Sequence, residues 1–75
     1  AAFDMYPNPA NSSVTINAKN NIDSISVFNL LGQEVMVAAP NAVQTTLDIS
    51  NLNSGVYLVR TTSQGKVATS RLIKR

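Results

Sequence analysis

Apolar side chains in this chain recur at every second position over short runs. No window sustains the i, i+3, i+4, i+7 stripe of an amphipathic helix. That pattern restricts the chain to strands. Phe3 to Tyr6 is the first short run. Ser13 to Ala18 alternates cleanly, with Val14, Ile16 and Ala18 on one face. Ile25 and Val27 alternate with Ser24 and Ser26, which gives that strand one wet face. Val35 and Val37 share a face in the run from Glu34 to Ala38. Thr45 to Ile49 is expected to turn Leu47 and Ile49 inward. Val56 to Thr62 is apolar on both faces at its start, as a central strand is. Val67 to Lys74 is the last run, and its register is open because Leu72 and Ile73 are adjacent.

Clusters of Asn, Gly, Pro and Ser separate these runs. Lys19-Asn20-Asn21 and Leu31-Gly32-Gln33 read as turns, and Pro40-Asn41 as a break. Ser50 to Gly55 reads as a tight corner, with Gly55 free to take a positive φ. Ser63-Gln64-Gly65 reads as a hairpin turn with Gly65 left-handed. Tyr6-Pro7-Asn8-Pro9 is a stiff corner that closes the first strand. Each proline fixes its own φ near about −65° and pushes the residue before it toward extended backbone. Seven or so short strands with regular turn signals indicate a sandwich or a small barrel. The wet faces favour an all-β, antiparallel sandwich.

With 75 residues the chain is one domain, 1–75, in which Ala1 and Ala2 are expected to be the remnant of a linker. It begins at Ala1 and not at Met, and is expected to be an excised or processed piece of a longer protein. A domain this small buries only about 60% of its extended surface. It has no cysteine, so neither a disulfide nor a zinc–thiolate site braces it. The start has neither the charged end nor the apolar core of a signal peptide, and no apolar run reaches membrane-spanning length.

Charge is unevenly spread. All four acids, Asp4, Asp23, Glu34 and Asp48, lie in the first 48 residues. Five of the six bases, Arg60, Lys66, Arg71, Lys74 and Arg75, lie in the last sixteen. A strand edge guarded by Lys and Arg accounts for this distribution, and a terminal docking signal is the functional alternative. Nucleic-acid binding is not expected, because the four aromatics are not interleaved with the bases as a stacking platform requires.

Catalysis is not expected either. The chain has no histidine, and its four carboxylates are isolated from one another. No Gly-x-Ser-x-Gly elbow, phosphate loop or calcium loop is present, and no cofactor is implied. Asn11-Ser12-Ser13 matches an N-glycosylation acceptor, and Asp23-Ser24-Ile25 resembles an O-glycosylation site of Bacteroidota; both read first as ordinary turn residues. Phe3, Tyr6, Phe28 and Tyr57 read as core or corner residues. A tyrosine on a late strand, such as Tyr57, often anchors a corner through its hydroxyl.

Taken in order, these segments resemble the type A C-terminal sorting domain of the type IX (Por) secretion system. The resemblance rests on Tyr6-Pro7-Asn8-Pro9, Val14-Thr15-Ile16, and Ile25 to Asn29 leading into Leu31-Gly32-Gln33-Glu34-Val35. It continues through Leu47-Asp48-Ile49-Ser50 with Leu52, Gly55-Val56-Tyr57-Leu58-Val59, and Arg71-Leu72-Ile73-Lys74-Arg75. It implies an Ig-like seven-stranded sandwich fused behind a secreted cargo. It implies passage through the periplasm, then through the outer-membrane translocon to the cell surface or medium, and removal by a sortase-like surface peptidase. Within it, Arg71, Leu72, Ile73, Lys74 and Arg75 are the candidate recognition residues. Tyr6, Pro7, Asn8, Pro9, Gly32, Gly55, Tyr57 and Gly65 are structural. The alternative with the same strand pattern is an Ig-like adhesion or carbohydrate-binding module of a surface protein.

Overall fold

The described residues form seven strands: β1 (Phe3–Tyr6), β2 (Ser13–Ile22), β3 (Ser24–Phe28), β4 (Glu34–Ala38), β5 (Ala42–Asp48), β6 (Gly55–Ser63) and β7 (Lys66–Lys74). The structure is a computed structural model that describes residues 3–75, and the linker expected at Ala1 and Ala2 lies outside the described residues. The strands form a three-stranded sheet, β1-β2-β5, and a four-stranded sheet, β4-β3-β6-β7. Every strand pairing is antiparallel. The two sheets face each other as an Ig-like sandwich, as the wet-faced strands predict.

The alternating runs supply the core. Val14 and Ile16 of β2, Ile25 and Val27 of β3, Leu47 of β5, Val59 of β6 and Leu72 of β7 are all buried, with Ile49 beside them. Burying each such aliphatic chain is worth about 1.5–3 kcal/mol, so a few of them decide whether so small a domain folds. In β7 the open register resolves in favour of Leu72, which is fully buried, and Ile73 points outward. In β4, Val35 and Val37 share a face as read, but it is the outer one. Met36 and Ala38 pack against the core instead.

Lys19-Asn20-Asn21 is not a turn, because β2 continues through it to Ile22. β1 pairs with β2 from Tyr6↔Thr15 to Phe3↔Ala18, so the next residues of β2 are wet and polar while remaining extended. The ladder with β5 shifts register between Asn17 and Ile22, and Ile22 is fully buried. Polarity there records exposure and not reversal. The change of direction falls on one residue, Asp23, where the chain passes from the first sheet to the second. Its amide donates to the Thr62 carbonyl at 2.8 Å, and its Oδ2 accepts from the Gln64 amide at 3.3 Å. Ser24 is already paired with Thr62 and half-buried, so Asp23-Ser24 is accounted for by this crossing.

The remaining turns follow their residues. Gln64 and Gly65 have φ of 54° and 76°, which makes the β6–β7 connection a two-residue hairpin with both central residues left-handed. At the β3–β4 loop, Gly32 has φ 84°, and Asn29 organises the whole turn. Asn29 Oδ1 accepts from the Leu31 and Gln33 amides, each at 3.0 Å, and Nδ2 donates to Gln33 Oε1 at 2.8 Å. At the β5–β6 corner, the Tyr57 hydroxyl donates to the Asn53 carbonyl at 2.6 Å. That bond, from the start of a late strand back to the preceding loop, is the tyrosine corner of Ig-like sandwiches.

Candidate functional site: the clamped end of the last strand

β7 is an edge strand that pairs with β6 on one side only. Along such an edge, backbone groups at every second residue point outward and invite another strand. Over the last residues of β7 they are already taken. After β1 the chain leaves its own sheet and runs against the edge of the other. Asn8 Nδ2 donates to the Arg71 carbonyl at 2.9 Å, and Asn8 Oδ1 accepts from the Ile73 amide at 3.0 Å. Two residues on, the Ala10 amide donates to the Ile73 carbonyl and the Arg75 amide donates to the Ala10 carbonyl, each at 2.8 Å. Ala10 is fully buried and forms a parallel bridge with Lys74.

The sequence explains why a side chain does this work. Pro7 and Pro9 have no N–H to give, so the backbone on either side of Asn8 cannot form a full ladder. A carboxamide carries one acceptor oxygen and a donor nitrogen on the same plane, as a peptide unit does. Asn8 therefore stands in for the missing peptide unit. Its orientation follows from its partners, since the Arg71 carbonyl requires a donor and the Ile73 amide an acceptor. Both X-Pro bonds of the corner, Tyr6-Pro7 and Asn8-Pro9, are cis.

The two segments that the sequence kept apart thus form one site. Tyr6-Pro7-Asn8-Pro9 is the partner of Arg71 to Arg75, across a separation of 63 to 65 residues for the Asn8 bonds. Two expectations change. Leu72 is a core residue and offers no surface for recognition. Strand addition by a partner at residues 71–75 fails while the clamp is closed, because its outward backbone groups are occupied by Asn8 and Ala10. What remains accessible is chemical: the exposed side chains of Arg71, Ile73 and Arg75, with half-exposed Lys74 donating to the Arg75 carbonyl at 2.8 Å. Asn8 is the residue that sequence reading placed as structure without seeing its partner.

Of the other structural residues, Gly55 and Tyr57 pair across the ladder with Lys74 and Leu72 at this same end. Gly32 and Gly65 sit in their turns, and Gly55 opens β6. The aromatics do not gather into a sugar platform: Phe3 and Tyr57 are buried, Phe28 lies beneath the Arg60 guanidinium at 4.6 Å, and Tyr6 is exposed. At the β5–β6 corner, Ser50 holds the Asp48 carboxyl below its usual value. The Ser50 hydroxyl donates to Asp48 Oδ1 at 2.6 Å and the Ser50 amide at 3.0 Å, against a smaller opposing effect of burial.

Residues 4–75 match the family described as secretion system C-terminal sorting domain. The chain belongs to the type IX C-terminal sorting domain family. Its fold is similar to part of PorZ of Porphyromonas gingivalis, an essential bacterial surface component of the type-IX secretion system, with a TM-score of 0.79 at 19% identity. The match covers 97% of this chain and 11% of PorZ, so this sorting domain spans only a small part of that protein. No curated protein matches the sorting domain significantly by sequence. Membership of this family carries a secretion-signal role, interaction with the type IX system, and export toward the cell surface or medium. No helix among the described residues is long and apolar enough to cross a membrane.

Proposed function

We propose that this chain is a non-catalytic export signal that carries a cargo fused upstream of it through the type IX outer-membrane translocon. The cargo passes through the periplasm first. A sortase-like surface peptidase removes the domain, which is that enzyme's substrate and no catalyst. The family match over residues 4–75 carries this reading. The absence of histidine from the sequence and the isolation of its four carboxylates agree with it. Recognition falls on the charged side chains of Arg71, Lys74 and Arg75, presented on a strand end that the Asn8 clamp holds in one conformation.

A fluorescent protein carrying these 75 residues at its C-terminus tests the proposal in a bacterium that has the type IX system. Fluorescence at the surface or in the medium is expected. Retention in the periplasm would overturn the reading and leave an Ig-like adhesion module or a passive spacer. Alanine at Arg71, Lys74 and Arg75 together is expected to lower export, and unchanged export would remove the charged terminus from the mechanism.

A further inference from the structure

The outer face of the four-stranded sheet is built unlike the rest of the surface. Ladder partners share a face, so the register places Phe28, Leu58 and Arg71 in one outward row, and Ser26, Arg60 and Thr69 in the next. Val56 and Ile73 make a further outward row. Phe28, Gly32, Leu58, Arg60 and Thr69 line a shallow depression of about 330 Å³ on this face. Beside it the β3–β4 loop holds Leu30 and Leu31 in water, 68% and 84% exposed. They are not there by slackness, since three bonds from the Asn29 side chain fix that loop. Seven of the nine large exposed apolar residues, all but Tyr6 and Val43, belong to this sheet or this loop.

The charge on the outer face of the sheet is mainly positive, Arg60 and Arg71 against Glu34, which pairs with Phe28. The sheet's other two bases, Lys66 and Lys74, fall on the alternate positions of β7 that include buried Leu72 and do not belong to this face. Arg60 and Arg71 point out from the apolar rows, and the Phe28 ring positions the Arg60 guanidinium while leaving its N–H groups at the rim.

We infer that this face is a docking surface for a protein partner that presents apolar side chains flanked by carboxylates. The inference rests on the sorting role proposed above and names the surface through which that role is exercised. Charge complementarity selects the occupant. A second copy of the chain would set Arg60 and Arg71 against the same two cations, and like charges across an interface oppose association. Carboxylates opposite the two guanidiniums form forked, charge-assisted hydrogen bonds around an apolar centre, as interface anchors do.

The test uses the whole chain fused to a fluorescent cargo in cells with the type IX system. A photo-crosslinking residue replaces Thr69 on this face, or Gln44 on the outer face of the other sheet as control. The expected result is a protein adduct from position 69 that maps to an apolar, acidic peptide and is absent from position 44. Arg60→Glu and the pair Leu30→Ser with Leu31→Ser are each expected to cut that adduct and export by about tenfold or more. Melting temperatures are expected to stay within a few degrees, because these side chains are exposed. An adduct to a second copy, to lipid alone, or equally from both positions would overturn the inference. If the parent fusion is exported and both variants match it, the sorting role stands and the docking face is wrong. If the parent fusion is itself retained, both fall.

Discussion

Replacing Asn8 with alanine removes two hydrogen bonds at once and leaves the Arg71 carbonyl and the Ile73 amide to water. Because the clamp is exposed, the expected loss is about 1–2 kcal/mol, read by denaturant unfolding, with faster amide exchange at Ile73. Asn8→Asp is expected to be worse than alanine at neutral pH, since a carboxylate can accept from Ile73 but faces the Arg71 carbonyl with no donor. The reverse ranking would mean that Asn8 acts through its shape and not through its paired donor and acceptor. Tyr57→Phe deletes only the hydroxyl that reaches Asn53, for an expected cost of about 0.5–1.5 kcal/mol in the same assay. Asp48 gives the domain a pH dependence of defined sign. Its folded value is depressed, so its contribution is complete above the unfolded value of about 3.9 and is lost as pH falls through the lower folded value. Asp48→Asn is expected to flatten the acid side of the stability profile.

At the scale of elements, the strands that alternate cleanly were readable in advance. Val14 with Ile16, Ile25 with Val27, and Leu47 with Ile49 have a period of two, and one face of each is buried as that period requires. The hairpin at Gln64-Gly65 and the Tyr57 corner were readable because their chemistry is local. The continuation of β2 through Lys19-Asn20-Asn21 was not. Polar residues mark turns and exposed strand edges alike, and only the return of β2 to the β5 ladder at Ile22↔Ala42 distinguishes them here. The Asn8 clamp was invisible for a different reason: nothing local in Pro-Asn-Pro specifies a partner more than sixty residues away. The element-level consequence concerns β7. Deleting Leu72 to Arg75 takes away a fully buried core side chain along with the charges. Such a truncation is expected to unfold the domain, since losing even a buried leucine's side chain costs about 2–5 kcal/mol. Loss of the cooperative melting transition checks this. Export lost by truncation therefore reports on folding, whereas substitution of Arg71, Lys74 and Arg75 tests the proposed recognition.

The whole molecule separates its duties by sheet and by end. The three-stranded sheet carries Asp4, Asp48 and one base, Lys19. The four-stranded sheet carries four bases and one acid, Glu34, and with its β3–β4 loop most of the large exposed apolar residues, and it holds the strand end that Asn8 and Ala10 seal. A chain of this size has little stability to spare, and a sealed edge protects it from pairing with its neighbours. The central claim is that these residues address a cargo to one export route. The most direct measurement is the fraction of a C-terminally tagged fluorescent protein found outside the cell, compared between a strain with an intact type IX translocon and one lacking it. The account predicts fluorescence outside the intact strain and accumulation in the periplasm of the other. Equal distribution in the two strains would contradict it.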